Sequence, residues 1–169
     1  MEIRELTEAD AVAFRIIRLE GLQLNPEAFG SSYEEQKDRP LSSYADRLRD
    51  SAATPDAFTL GAFEDGLIGT AGFVRDQGAK MRHKGMIWGV YVARHARGRG
   101  VARALMEESI GRARALPGLE QICLTVMSTN EPALRLYRAL GFATYGREPR
   151  ALKIGATYYD EDLMVLRLG

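Results

Sequence analysis

From Met86 to Met106 the chain reads MIWGVYVARHARGRGVARALM, and few folds accommodate such a passage. Its first part, up to Val92, is rich in β-branched and aromatic residues and predicts a strand. Two glycines, Gly98 and Gly100, follow among Arg97, Arg99 and Arg103. Beyond them, helical spacing gathers Ala102, Leu105, Met106, Ser109, Ile110 and Ala113 on one face, with Arg103, Glu107, Glu108, Arg112 and Arg114 on the other. A strand that turns through glycines into an amphipathic helix leaves backbone N–H groups unpaired at the helix start, beside the positive end of its dipole. Such a place suits a phosphate. The glycines let a ligand approach the backbone and tolerate unusual φ, and the arginines offer charge-assisted hydrogen bonds. The plain alternative is a helix start rimmed by solvated arginines.

The remaining elements can be read around this passage. EIREL is a short extended segment, Thr7 and Asp10 form a capping box, and Val12, Ile16 and Leu19 predict the apolar row of a first helix. NPEAFGSS interrupts it, and a polar helical stretch over about Leu41 to Asp50 reads as surface rather than core. AFTLGAF and LIGTAGFV read as strands joined by EDG, where Asp-Gly provides a hairpin turn. QICLTVM, nearly all apolar, predicts a central strand covered on both faces. In STNEPALRLYRALGF, Asn130 is a helix N-cap, Pro132 lies in the first turn, Ala133, Leu136, Tyr137 and Leu140 form an apolar row, and Gly141 stands at the C-cap. FATYG and ATYYDEDLMVLRL read as closing strands. The order is strand, two helices, three strands, helix, strand, helix, two strands, which predicts an α/β (α+β) chain with a mixed-polarity sheet and helices on its faces.

Composition narrows the classes of function. Twenty-three basic residues balance 23 acidic ones, so no net charge draws the chain to nucleic acid or to an anionic membrane, and no aromatic residues interleave with the arginines. Cys123 is the sole cysteine and there are two histidines, which leaves little for a disulfide or a metal site. MEIRELTEADAVAF lacks the features of a targeting segment, and no run approaches the roughly 18 apolar residues of a membrane span. The expectation is a cytoplasmic protein of one domain over residues 1–169, with neither metal, nucleic acid nor membrane as partner.

Among phosphate-binding turns, the ATP type is absent, because no Lys-Ser or Lys-Thr follows the glycines. The dinucleotide fingerprint fits Gly98 and Gly100 but places Arg103 where a small residue belongs. The pattern [QR]-x-x-G-x-[GA] is met from Arg97 to Ala102. VYVARHARGRGVARALM resembles the acetyl-CoA-binding motif of the GNAT N-acetyltransferase superfamily, and TNEPALRLYRALGF resembles its next segment, N-x-x-A-x-x-L-Y-x-x-x-G-F. RLEGLQLNPEAFGSSYEEQ is similar to N-terminal helices of many members, so the resemblance runs loosely over the whole length. It implies a GNAT-like domain with a mostly antiparallel, twisted sheet of about six or seven strands.

The resemblance further implies acetyl-CoA as acetyl donor, transfer to a small-molecule or peptide amine by direct attack in a ternary complex, and the capacity to form a homodimer. Backbone amides of Arg97, Gly98, Arg99, Gly100, Val101, Ala102 and Arg103 would hold the pyrophosphate. Val90, Tyr91 and Val92 would pair with the pantetheine arm where their strand splays from the next, Gln121 to Met127. Asn130 would bind the cofactor arm, and Tyr137 would be the acid that protonates the departing thiolate; helical spacing alone favours a core aromatic at Tyr137, and the matching motif reverses that preference. Met86 to Ala93 contains no carboxylate, so no general base is assigned, with Glu34, Glu35 and His83 as weak candidates. Trp88 and Cys123 read as core residues, His83 and His95 as solvated. Glu27, Glu34, Glu35, Asp160, Glu161 and Asp162 are either a solvated face or an attraction for a cationic amine. Two other readings stand beside the transferase: a non-catalytic acyl-CoA sensor and an NAD(P)-dependent oxidoreductase.

Overall fold

The computed structural model describes residues 1–169. A seven-stranded sheet runs in the order β1-β2-β3-β4-β5-β7-β6. β1 is Glu2–Glu5, β2 Ala57–Phe63, β3 Leu67–Arg75, β4 Lys84–Val92, β5 Gln121–Met127, β6 Ala143–Ile154 and β7 Thr157–Arg167. All neighbours are antiparallel except β4 and β5, which run parallel. The helices are α1 (Ala11–Leu24), α2 (Tyr33–Lys37), α3 (Leu41–Ala52), α4 (Val101–Arg114) and α5 (Glu131–Ala139). This is the expected mixed, mostly antiparallel sheet, with the short α2 as an unforeseen addition.

Two apolar clusters lie on opposite faces of the sheet. Leu105, Met106, Ile110 and Ala113 of α4 and Leu134 and Tyr137 of α5 pack on Phe73, Ile122, Leu124 and Met164. Phe14, Ile17 and Leu22 of α1 and Tyr44 and Leu48 of α3 pack with Tyr91 on the other side. The apolar row expected of the first helix is wrong: Val12 and Ile16 are exposed, while Ala11, Phe14, Ile17 and Leu22 are buried. Thr7 caps a 3-10 turn, Glu8–Asp10, the helix proper starts at Ala11, and the row that carries Phe14, Ile17 and Leu22 is the one that meets the sheet. The polar stretch of α3 also has a core side, for Leu48 is fully buried.

The expectation that β5 is covered on both faces needs correction as well. Ile122, Leu124 and Val126 are buried, whereas Thr125 is exposed and Cys123 only partly covered. Neither α1 nor α3 extends over this strand, so the far face of β5 and β7 stays open except where the 3-10 turn Pro26–Ala28 reaches β5 and β6. β6 is longer than FATYG suggested, because its pairing with β7 survives Pro149 through an irregularity between Glu148 and Leu152. An edge strand tolerates such a proline. Arg150 there has φ of 55° and its N–H donates to Asp160 Oδ1 at 2.8 Å.

On the α1/α3 face, Trp88 lies over Gly72 of β3, and a Cβ at Gly72 would come within 2.2 Å of the indole. Gly72→Ala is therefore expected to destabilise the fold by about 1–3 kcal/mol through overpacking. Because Trp88 is the sole tryptophan, its emission maximum should shift in the same variant. An unchanged spectrum together with unchanged urea midpoint would contradict this packing.

Candidate functional site

β4 and β5 form only three residue pairs, Lys84 with Gln121, Gly85 with Ile122 and Met86 with Cys123, and then part. The register between β3 and β4 explains the parting. Thr70 faces Tyr91 but Gly72 faces Trp88, so β4 carries one residue more than β3 across this interval. The extra residue is a bulge at Gly89, whose φ of 62° is cheap only for glycine. Thr70 Oγ1 donates to the Gly89 carbonyl at 3.2 Å and holds the bulge. The bulge shifts the phase of the strand: Ile87 packs with α4, whereas Tyr91, four residues later, packs with α1. A bulge also bends its strand and raises its twist, which carries β4 away from a straight partner. The sequence signal was a lone glycine within a strand pattern, a mark of bulges that went unread.

Beyond the bulge, the Ala93 N–H donates to the Ile68 carbonyl at 2.9 Å, so by alternation the Tyr91 backbone faces β3 and Val92 faces the gap. The Val92 carbonyl accepts from Arg97 Nε at 3.1 Å. The Tyr91 hydroxyl donates to Glu20 at 2.9 Å, and Glu20 also accepts from the Arg94 N–H at 3.2 Å. This joins the end of β4 to α1.

The turn leading into α4 has the form its glycines suggest. Gly98 and Gly100 have φ of 75° and 80°, and a Cβ on either would meet no atom within 4 Å. Glycine is required there by conformation rather than by crowding. The N–H groups of Gly98, Arg99, Gly100, Val101, Ala102 and Arg103 donate to no group of the protein; the first intrahelical bond is from Ala104 to Gly100. The arginine side chains are occupied. Arg97 reaches Asn25 Oδ1 at 2.7 Å, Arg99 pairs with Glu64 at 2.8 Å, and Arg103 lies 3.4 Å from Glu107. Arg97 and Arg99 brace the turn from outside, and the donors left unpaired are backbone N–H groups.

Across the gap, β5 leads to α5. Asn130 caps the helix, its Oδ1 accepting from the Ala133 N–H at 3.3 Å, and its own N–H donates to the Met127 carbonyl at 2.9 Å. Gly141 ends the helix with φ of 93°. Tyr137 is buried among Phe142 and the α4 cluster, and its hydroxyl makes no hydrogen bond to the protein. Burial pushes that hydroxyl up to about 12. It is a neutral donor at any physiological pH.

The weak base candidates are otherwise engaged or plain: Glu34 pairs with Lys37, and Glu35 closes a capping box on the Ser32 N–H at 2.8 Å. Of the acidic residues near the chain end, Asp160 and Asp162 serve Arg150 and Arg147. Glu161 differs. It stands opposite Met127 at the end of β5, and burial, with Glu148 beside it, holds its carboxyl above the usual range. No group of three or more His, Cys, Asp or Glu side chains is placed to hold a metal ion.

Comparison with known proteins is consistent over most of the chain. Residues 21–142 match the model of the acetyltransferase (GNAT) family. A mycothiol acetyltransferase of Acidothermus cellulolyticus is 31% identical over 140 residues, which cover 75% of this chain and 42% of that protein. The chain thus spans less than half the length of that relative. The GNAT-family acetyltransferase of Streptococcus pneumoniae superposes with a TM-score of 0.87 at 25% identity, covering 99% of each chain. The yncA protein of Salmonella typhimurium, solved with its cofactor acetyl-CoA, shares the fold with a TM-score of 0.86 at 23% identity, over 100% of this chain and 94% of its own.

The buried phenol makes stability fall in alkali. Its folded-state value lies above the ordinary 10, so its contribution is intact below pH 10 and is lost between pH 10 and about 12 as the unfolded phenol ionises. The slope attributable to this group is about 1.4 kcal/mol per pH unit. Urea unfolding of Tyr137→Phe between pH 9 and 11.5 should lack that increment relative to the native chain; parallel curves would refute the burial argument.

Proposed function

Since this chain belongs to the acetyltransferase (GNAT) family, we propose that it transfers the acetyl group of acetyl-CoA to a primary amine by direct attack within a ternary complex. The observation that carries the reading is the juxtaposition of a strand pair that parts beyond Met86 with a turn whose N–H groups from Gly98 to Arg103 are unpaired. The first supplies a slot and the second an anion site at its end. The competing dinucleotide reading is dropped, because that fold needs an open parallel sheet and only β4 and β5 are parallel here.

Acetyl-CoA would bring an activated thioester. The turn from Gly98 to Arg103 would hold its pyrophosphate through backbone N–H groups aided by the α4 dipole, the expected Arg97 N–H being spent on the Arg94 carbonyl at 3.5 Å. Val90 and Val92 would offer backbone groups to the extended arm, with Tyr91 anchoring the strand through Glu20. The Asn130 side-chain N–H groups are free to donate while its oxygen caps α5. In the reaction the C–N bond forms and the C–S bond breaks; the ammonium proton leaves to solvent or a carboxylate, and the thiolate takes a proton. Tyr137 would donate to that sulfur. A phenol near 12 is a poor acid toward a thiolate in water, but the burial that raises it also raises the thiol, so the proton is shared more evenly than solution values suggest. Glu161, held neutral more readily than an ordinary carboxyl and therefore a stronger base once ionised, is the carboxylate on the open face best suited to receive the ammonium proton.

Thiol release from acetyl-CoA with a panel of amines, followed by mass spectrometry of the product, tests the reading. Tyr137→Phe should lower kcat by about 10- to 100-fold while leaving the Kd for coenzyme A within twofold. Gly100→Ala, strained at positive φ, should instead raise that Kd by about tenfold or more. Tight coenzyme A binding with no turnover on any amine would favour the sensor reading.

A further inference from the structure

On the α1/α3 face two guanidinium groups stand beside the bulge, and neither has a carboxylate partner. Arg18 of α1 lies over the Phe29 ring at 4.6 Å, and its Nη1 is 3.7 Å from where a side chain on Gly89 would begin. Arg47 of α3 lies over the Trp88 ring at 4.1 Å, one residue along β4. No hydrogen bond or ion pair engages either, and each faces a like charge: Arg18 faces Arg47, and Arg47 faces Arg39. Burial first, and then Arg47, bring Arg18 down to about 10, so it stays charged at neutral pH.

Arg94, Arg114, Arg135, Arg138 and Arg167 also lack a carboxylate partner, but they are exposed and lie over no aromatic ring, whereas Arg18 is largely desolvated. Arg4, Arg49, Arg75, Arg82, Arg99, Arg112 and Arg147 all pair with Asp or Glu. A largely desolvated Arg18 set near the more exposed Arg47 without a counter-ion costs free energy that an oxyanion would offset. Cation–π contact with Phe29 and Trp88 holds both guanidinium groups in place, and their N–H groups, which make no hydrogen bond to the protein, are free to donate to a carboxylate.

We propose that Arg18 and Arg47 form a clamp for the carboxylate of the acceptor, which is a small amine bearing a carboxylate next to its amino group, an amino acid or close relative. The identity of the clamp as part of an acceptor site rests on the transfer reading above; the anion preference rests on the two arginines. A carboxylate on Arg18 sets an adjacent amine beside Gly89, where β4 leaves β5. Glu161, on the same open face, favours the amine end.

Two measurements separate the clamp from the transfer reading. Acetate, inorganic phosphate and chloride at constant ionic strength are titrated against Trp88 fluorescence with coenzyme A present. Acetate should give a saturable change that Arg18→Gln and Arg47→Gln each weaken about tenfold or more. In the thiol-release assay, amino acids should exceed their carboxamides by about tenfold or more in kcat/KM, and Arg18→Gln should erase that margin through KM with the KM for acetyl-CoA unchanged. Carboxamides or aminoalkylphosphonates acetylated as well as amino acids overturn the carboxylate clamp while leaving the transferase reading intact. Absence of turnover with every amine counts against the transfer reading, and the acetate titration then decides the clamp alone: a saturable, Arg18-dependent change upholds it, a flat response overturns it.

Discussion

The parting of β4 from β5 is the constraint on which the other features depend. Two parallel strands joined by a helical crossover would ordinarily pair along their whole length, since each unpaired backbone group in a sheet interior forgoes a hydrogen bond. Here pairing ends after Met86 and Cys123, and the one-residue bulge at Gly89 accounts for it. The bulge turns the strand and reverses which residues face which layer. Tyr91 thereby enters the α1 layer, where its hydroxyl and Glu20 lock the strand end in place. The backbone edges exposed by the gap are held apart by packing on both faces, with Leu105 and Tyr137 below and Phe29 and Tyr91 above.

The turn before α4 depends on the same arrangement. Its glycines supply positive φ, and its unpaired N–H groups come from the start of a helix that follows directly from the parted strand. The arginines that make the passage conspicuous are structural braces: Arg97 ties it to Val92 and Asn25, and Arg99 ties it to the β2–β3 hairpin through Glu64. Arg18 and Arg47, which stand over aromatic rings without a carboxylate partner, are elsewhere, on α1 and α3, in segments whose sequence is unremarkable. A charge is informative through what surrounds it, and clustering along the chain is a poor guide to that.

Much of the element order could be read directly. The α4 helix, the caps of α5 at Asn130 and Gly141, and the β2–β3 hairpin follow from local chemistry, because capping, helical spacing and turn preferences act over a few residues. The face of α1 is not legible in the sequence, because apolar residues form two rows and do not by themselves say which of them meets the sheet. β5 was misread because an apolar run looks the same whether one face or two are covered. The motif residues from Arg97 to Arg103, Asn130 and Tyr137 stand out in the chain by their pattern, whereas Gly89, Glu20, Arg18 and Arg47 do not, since each acquires its meaning from a partner far along the sequence.

By itself the sequence determined which segments are strands and helices, where a glycine turn would present bare amides, and which family the chain resembles. These depend on residues close together, whose preferences are strong and local. The tertiary structure alone decided that a bulge at Gly89 is what parts β4 from β5, that Arg97 and Arg99 are braces, and that Arg18 and Arg47 stand near each other without a counter-ion. Register, layer and counter-ion are properties of pairs brought together by packing, and burial sets their energies through the dielectric and the neighbours that only the folded chain provides.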